Sequence, residues 1–239
     1  MSAEAELESV LRGLWPSVTD AALRDLLPHD LASLGDFYPR LQQYVDAAPR
    51  AMHGTIDPAA IVRGDVISMG EGSIIEAGAI VHESCRLILG ARSVIRAGAL
   101  LRDEILVGDD CLIGAHSDLA RTVLVGPGTA LGHSIVFNDS IIGAHVLLSA
   151  FVAAANTHLT AGKEISIRTR AGGVLTGRTY LGALIGDGVR IGNNTALAPG
   201  TIVMPELRIP QAAVLLGIVD AERREQLMRN FFERWGGES

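Results

Sequence analysis

Aliphatic residues recur every six positions through the middle of the chain, at Leu89, Ile95, Leu101, Val107, Ile113, Leu119, Val125 and Leu131. The residue after each is small in most units (Gly90, Gly108, Gly114, Ala120, Gly126, Gly132). Four places after each aliphatic position stands Ser93, Ala99, Ile105, Cys111, Ser117, Val123, Thr129 or Ile135. Neither a helix nor an alternating strand has this period. A hexapeptide repeat of this form marks a parallel β-helix, in which each unit is one short strand plus a corner and three units make one coil. Coils stack at about 4.8 Å, the strand spacing of any sheet. The aliphatic residue should point inward and fill a three-sided prism.

The same period bounds the solenoid. It begins at Ile56 and Val62, continues through Ile75 and Val81, slips near Leu87, and slips again near Phe137 before Ile142 and Leu148. After Ala154 it disappears, to resume at Ile185, Ile191, Leu197, Val203 and Ile209, which predicts about seven coils and an excursion over 155–184. Within the excursion Lys163 to Arg168 alternates, and Ala171-Gly172-Gly173 precedes a second short run, so a projecting hairpin is expected. Residues 3–48 carry helical spacing instead: Leu7, Val10, Leu11 and Leu14, then Ala22, Leu23, Leu26 and Leu27 after a cap at Thr19 or Asp20, then Leu41, Tyr44 and Val45 before Pro49. These three helices read as a cap over one end of the prism. Asp220 to Trp235 is amphipathic and reads as a helix folded back on the prism or on a neighbouring subunit. The predicted organisation is a helical cap at 1–52, the β-helix at 53–218 and a C-terminal helix at 219–239.

Composition narrows the setting. Hydrophobic residues make up 48% of the 239 residues and aromatics only 4%, as a narrow prism filled by Ile, Val, Leu and Ala requires. A net charge of −7 argues against nucleic acid or an anionic membrane as the main partner. No apolar run approaches a membrane span and the N-terminus lacks signal-peptide character, so a cytoplasmic location is expected. Cys85 and Cys111 fall at inward positions of their hexads and read as buried free thiols. A Gly-rich nucleotide loop in an α/β fold is missing, which excludes a nucleotidyltransferase domain within these residues.

The segment Leu131-Gly132-His133 through Asn138-Asp139 to Gly143, continuing to Ala155-Asn156, resembles the C-terminal acetyltransferase-like domain of glucosamine-1-phosphate acetyltransferases and sugar-1-phosphate nucleotidyltransferases. The return from the excursion, Thr176-Gly177-Arg178-Thr179-Tyr180-Leu181-Gly182, resembles that group as well. The resemblance implies a mainly β fold, a left-handed parallel β-helix with a short helical N-terminal cap, a projecting hairpin and a C-terminal helix. It implies a homotrimer with sites between subunits, and acyl transfer from acetyl-CoA to a sugar phosphate or nucleotide-linked sugar, with no metal. His133 matches the general base, and imidazole titrates near working pH. Arg121 matches a basic residue for the sugar phosphate; Arg102 matches a second by its spacing to Gly114, with Arg96 the competitor for that place. Guanidinium forks suit phosphate oxygens. Asn156 matches a substrate-holding asparagine, and Lys163 lies one place later than a lysine of the family. Three positions depart from the pattern: Val136 and Thr157 stand where tyrosines are expected, and Leu147 where an asparagine is expected. The alternative reading is a non-catalytic trimeric scaffold or regulatory subunit. A γ-type carbonic anhydrase shares the prism but needs three histidines around zinc, and the His-x4-His pair is missing.

Overall fold

A computed structural model describes residues 1–235; positions 236–239 at the end of the predicted C-terminal helix, and the side chain of Trp235, lie outside the described residues. The core is a parallel β solenoid of about nine turns with three faces. Face 1 is an eight-stranded parallel sheet that includes Val94–Ile95, Leu112–Ile113, Ala130–Leu131 and Leu147–Leu148. Face 2 includes Ile80–Val81, Val136–Asn138, Ala153–Ala154 and Val214–Leu215; face 3 includes Asp65–Met69, Arg86–Leu89, Ile141–Ile142 and Leu184–Ile185. Strands Leu100–Val107 and Asp118–Leu124 run round the corner from face 2 to face 3 and join both into one sheet.

The hexad residues do fill the prism: Leu89, Ile95, Leu101, Val107, Ile113, Leu119 and Leu131 belong to one buried cluster, with Cys85 and Cys111 among them. Val125 does not. Arg102 pairs with Ala120 but Ile105 with Thr122, so Asp103 and Glu104 turn the corner in one coil and Arg121 alone in the next. The shorter coil moves the inward position to Leu124, which pairs with Val107 and Ile142, while Val125 packs outside the prism. The expectation of about seven coils is also too low. Ala51–Met52 at the start and Val214–Leu215 with Ile218–Val219 at the end pair as further strands; Leu215 continues the six-residue spacing from Ile209, whereas Met52 and Val219 stand four residues from Ile56 and Leu215.

Four helices, not three, precede the solenoid: α1 (Ala3–Arg12), α2 (Ala21–Leu26), α3 (Leu31–Gly35) and α4 (Phe37–Ala47). Asp20 caps α2 by accepting from the N–H of Leu23 (2.7 Å). The additional α3 is held by a capping box between Asp30 and Ser33, a local signal in four residues that lack a helical apolar stripe. The helices lie along face 3 and do not cross an end of the prism. Leu7, Leu11, Leu14, Leu34, Phe37 and Leu41 bury against Ile67, Leu106, Val123, Ile141, Leu184 and Ile202, the outward residues of that face. Fully burying each such side chain contributes roughly 1.5–3 kcal/mol. Trp15 Nε1 donates to the carbonyl of Ile185 (2.9 Å), and the Asp187 carboxylate accepts from Ser17 N, Ser17 Oγ and Ala144 N (2.9, 2.6 and 2.8 Å), so the helices are fixed in register.

The excursion leaves from the corner between faces 2 and 3 and contains the expected antiparallel hairpin, Ser166–Arg168 with Gly173–Leu175. Its Ile165, Ile167 and Val174 join the cluster beneath the helices, so it is folded down at its base. Helix α5 (Ala221–Trp235) closes the last coil, with Leu227 packed on the end of the prism core. Among the described residues no helix is long and apolar enough to cross a membrane.

Candidate functional site

The outer surface of face 2 carries polar residues at both margins. At the margin shared with face 1, successive coils turn through left-handed residues that include Gly98, His116, Ser134 and Phe151. His133 sits there, immediately before Ser134; it is exposed, its carbonyl accepts from Phe151 N (3.0 Å), and among the described residues its ring has no hydrogen-bond partner. A ring held only through its backbone is free to meet a ligand. His116 and His145 instead lie back over Gly98 and Gly128 of the preceding coil.

At the margin shared with face 3, the left-handed corner residues are Asp103, Arg121 and Asp139, one per coil. Arg121 bonds the Asp139 carboxylate through Nε and Nη2 (2.9 and 3.0 Å), and its Nη1 donates to Asp103. Asn156 Nδ2 donates to the same Asp139 (2.6 Å), whose side chain is 1% exposed. Arg102, on the face 2 rung beside this corner, pairs with Asp118 (2.6 Å). Arg96 lies at the opposite corner, paired with Glu76, so Arg102 is the arginine that shares a margin with Arg121. The ring of Tyr38 from α4 lies under two guanidinium groups, those of Arg121 (5.5 Å) and Arg178 (5.1 Å). Burial lowers the Arg178 pKa from its ordinary value. Lys163 is exposed on the excursion, with no ion-pair partner among the described residues.

Two consequences follow. Arg102, Arg121 and Arg178 are matched by Asp103, Asp118 and Asp139, so the corner carries no net charge, and the two predicted arginines spend their forks on carboxylates. The buried side-chain polar atoms left without a partner among the described residues, Tyr38 OH, Arg102 Nε and Asn138 Oδ1, belong to this same corner. Unpaired donors and acceptors of that kind suit hydroxyl groups or water more than a dianion.

The structure therefore places His133 on one margin of face 2 and Arg102, Arg121 and Asn156 on the other, with Val136 between and 39% exposed. From 133 to 139 the strand covers about 20 Å. Sequence reasoning missed Tyr38, Arg178 and the three aspartates as members of the corner. The aspartates were readable from the spacing of 103, 121 and 139; Tyr38 arrives from a distant helix and left no signal. Among the described residues no group of three His, Cys, Asp or Glu could hold a metal ion.

No family model matches the chain. A putative uncharacterized acetyltransferase YaiX of Escherichia coli K12 is 27% identical over 109 residues, covering 44% of each protein. A bifunctional sugar-1-phosphate nucleotidylyltransferase/acetyltransferase of Sulfurisphaera tokodaii is 31% identical over 103 residues, 43% of this chain and 25% of that protein. The chain thus spans less than half the length of these curated relatives. Among solved structures, a mutant of AntD, an N-acyltransferase from Bacillus cereus in complex with dTDP and coenzyme A, aligns over 71% of this chain and 93% of its own, at 13% identity and a TM-score of 0.36. A putative acetyltransferase of Bacillus cereus aligns over 75% and 86% at 15% identity and a TM-score of 0.25.

Proposed function

From a chain whose hexapeptide repeat, parallel solenoid and acetyltransferase relatives fit the hexapeptide-repeat acyltransferase superfamily, we propose that it transfers an acyl group, acetyl in the simplest case, from coenzyme A to an amino or hydroxyl group of a sugar carried on a phosphate or nucleotide. The observation that carries the reading is the exposed imidazole of His133, without a hydrogen-bond partner among the described residues, on the margin of face 2 that lies across the strand from the polar corner. The acceptor attacks the thioester carbonyl and gives up its proton to His133; the carbon–sulfur bond breaks, the new C–N or C–O bond forms, and the proton passes to the leaving thiolate. Arg121 and Asn156, locked on Asp139, orient the sugar, and the unpaired polar atoms at that corner match its hydroxyls. Lys163, free of any carboxylate, is the group left to meet the phosphate. A homotrimer completes the site, because an open face cannot by itself exclude water from a thioester.

The curated relative from Sulfurisphaera supports the sugar-phosphate class by its name alone. The second reading, a non-catalytic trimeric scaffold, draws support from Val136 and Leu147, each 39% exposed, which put apolar groups where polar contacts would be useful. Release of coenzyme A thiol during incubation with acetyl-CoA and a panel of amino and hydroxy sugar phosphates and nucleotide sugars separates them. Burial pushes the Cys85 and Cys111 thiols up to about 12, so the folded protein adds little background to a thiol reagent. Turnover in the wild type that drops a hundredfold or more in His133→Ala is expected. Equal rates in both remove His133 from the chemistry, and no turnover on any acceptor favours the scaffold.

A further inference from the structure

A second concave site lies away from face 2, where the hairpin tip meets α5 beneath α1. It has a volume of about 460 Å³, within the range of small-molecule sites. Four arginines line it, Arg168 and Arg170 from the hairpin and Arg223 and Arg229 from α5, with three acids, Glu6, Asp220 and Glu222. The acids are already engaged. Glu6 accepts the backbone N–H groups of Arg170 and Ala171 (both 3.1 Å). Asp220 accepts from Arg223 N at the start of α5 (2.9 Å) and from Arg170 Nη2 (2.6 Å), and Glu222 accepts from the same Nη2 (2.9 Å). Arg170 thus ties the hairpin to the helix and pairs with two of the three carboxylates.

Arg168, Arg223 and Arg229 remain with no carboxylate partner among the described residues; Arg223 bonds only the neutral side chain of Gln226 (2.6 Å). Four arginines against three acids leave the groove with a surplus positive charge in a chain of net charge −7, and three of the four guanidinium groups have their donors free of any carboxylate among the described residues. Guanidinium is the side chain best shaped for phosphate oxygens. Leu216, 45% exposed, and Ile218 supply an apolar wall beside them. We propose that this groove binds a phosphorylated small molecule, with its phosphates on Arg168, Arg223 and Arg229 and its less polar part against Leu216 and Ile218. The site stands independently of the acyl-transfer reading, since none of its residues belongs to face 2.

Titration calorimetry with ADP tests this on the full chain. ADP is expected to bind the wild type, adenosine is expected not to, and Arg168→Ala/Arg229→Ala is expected to weaken ADP binding at least tenfold. Both residues are exposed, so thermal melting of the double variant should match the wild type; Arg168→Gln/Arg229→Gln, which keeps a longer polar side chain than alanine without the charge, guards against a packing defect and should lose ADP equally. Coenzyme A that displaces ADP identifies an acyl carrier as the source of the phosphates, whereas coenzyme A that leaves ADP in place identifies a free nucleotide. No binding of ADP, or equal dissociation constants in wild type and both variants, overturns the proposal.

Discussion

Arg121 shows how one residue is used by a stacked fold. Its place in the left-handed corner aligns it with Asp103 in the coil before and Asp139 in the coil after, so a single guanidinium pins three coils. The Asp139 carboxylate is almost wholly shielded, and with Arg121 removed only Asn156 would remain on its oxygens. Removing one partner of a buried ion pair costs about 3–5 kcal/mol, because the other charge is left without compensation. Arg121→Met should lower the unfolding free energy by that amount in a denaturant titration. Adding Asp139→Asn should recover part of the loss, since the amide is neutral and tolerates the left-handed backbone. A cost under about 1 kcal/mol for the single variant would show that the pair is solvated and has no structural weight. The sequence made Arg121 legible as a basic residue at a corner. Its neutralisation by aspartates was readable from the eighteen-residue coil period that separates 103, 121 and 139, and was missed because the apolar six-residue pattern alone says nothing about polar corners.

At the level of the coil, the second hexad position has its own physical reason. The residues after the aliphatic ones are small for want of space: a Cβ on Gly114 would stand 2.0 Å from the carbonyl oxygen of Gly132 in the next coil. The demand there is close approach of two backbones. Gly78 is the opposite case: its φ is +75° and nothing lies within 4 Å of a built Cβ. Gly78→Ala should therefore cost only the left-handed penalty, about 1–2 kcal/mol. Gly114→Ala must push one coil off another, a backbone overpacking expected to cost about 3 kcal/mol or more. Equal denaturation midpoints for the two variants would sink the distinction. The missed slip at Val125 has a related origin: a one-residue difference in corner length reverses which of Leu124 and Val125 faces inward, and both are aliphatic, so the sequence pattern fits either.

Over the whole molecule the three faces differ in what covers them. The periodicity of the N-terminal segment said that each helix buries one side but not against what; the helices and the base of the hairpin lie on face 3. Among the described residues, faces 1 and 2 have no such helical cover. The outward positions of face 2 run Ile61, Ile80, Leu100, Asp118, Val136, Ala153, Ala196 and Val214, and those of face 1 include Ile74, Val94, Leu112 and Leu147. Ile61, Ile74 and Val214 are 44%, 40% and 61% exposed. Mainly apolar outward rows on two adjoining faces, broken by Asp118 on face 2 and ending at Arg190 on face 1, with His133 on the corner between them, are what a closed ring of three copies would bury, and that is the assembly the proposed site needs. Sedimentation equilibrium at micromolar concentration should give three times the mass of the chain. Ile61→Glu/Val214→Glu places charges on the stripe in coils remote from His133, so it should shift the protein toward monomer without unfolding it, and acyl transfer should fall with the trimer fraction. A wild type that sediments as a monomer would remove the shared site, and a double variant that stays trimeric would place the contact on another surface.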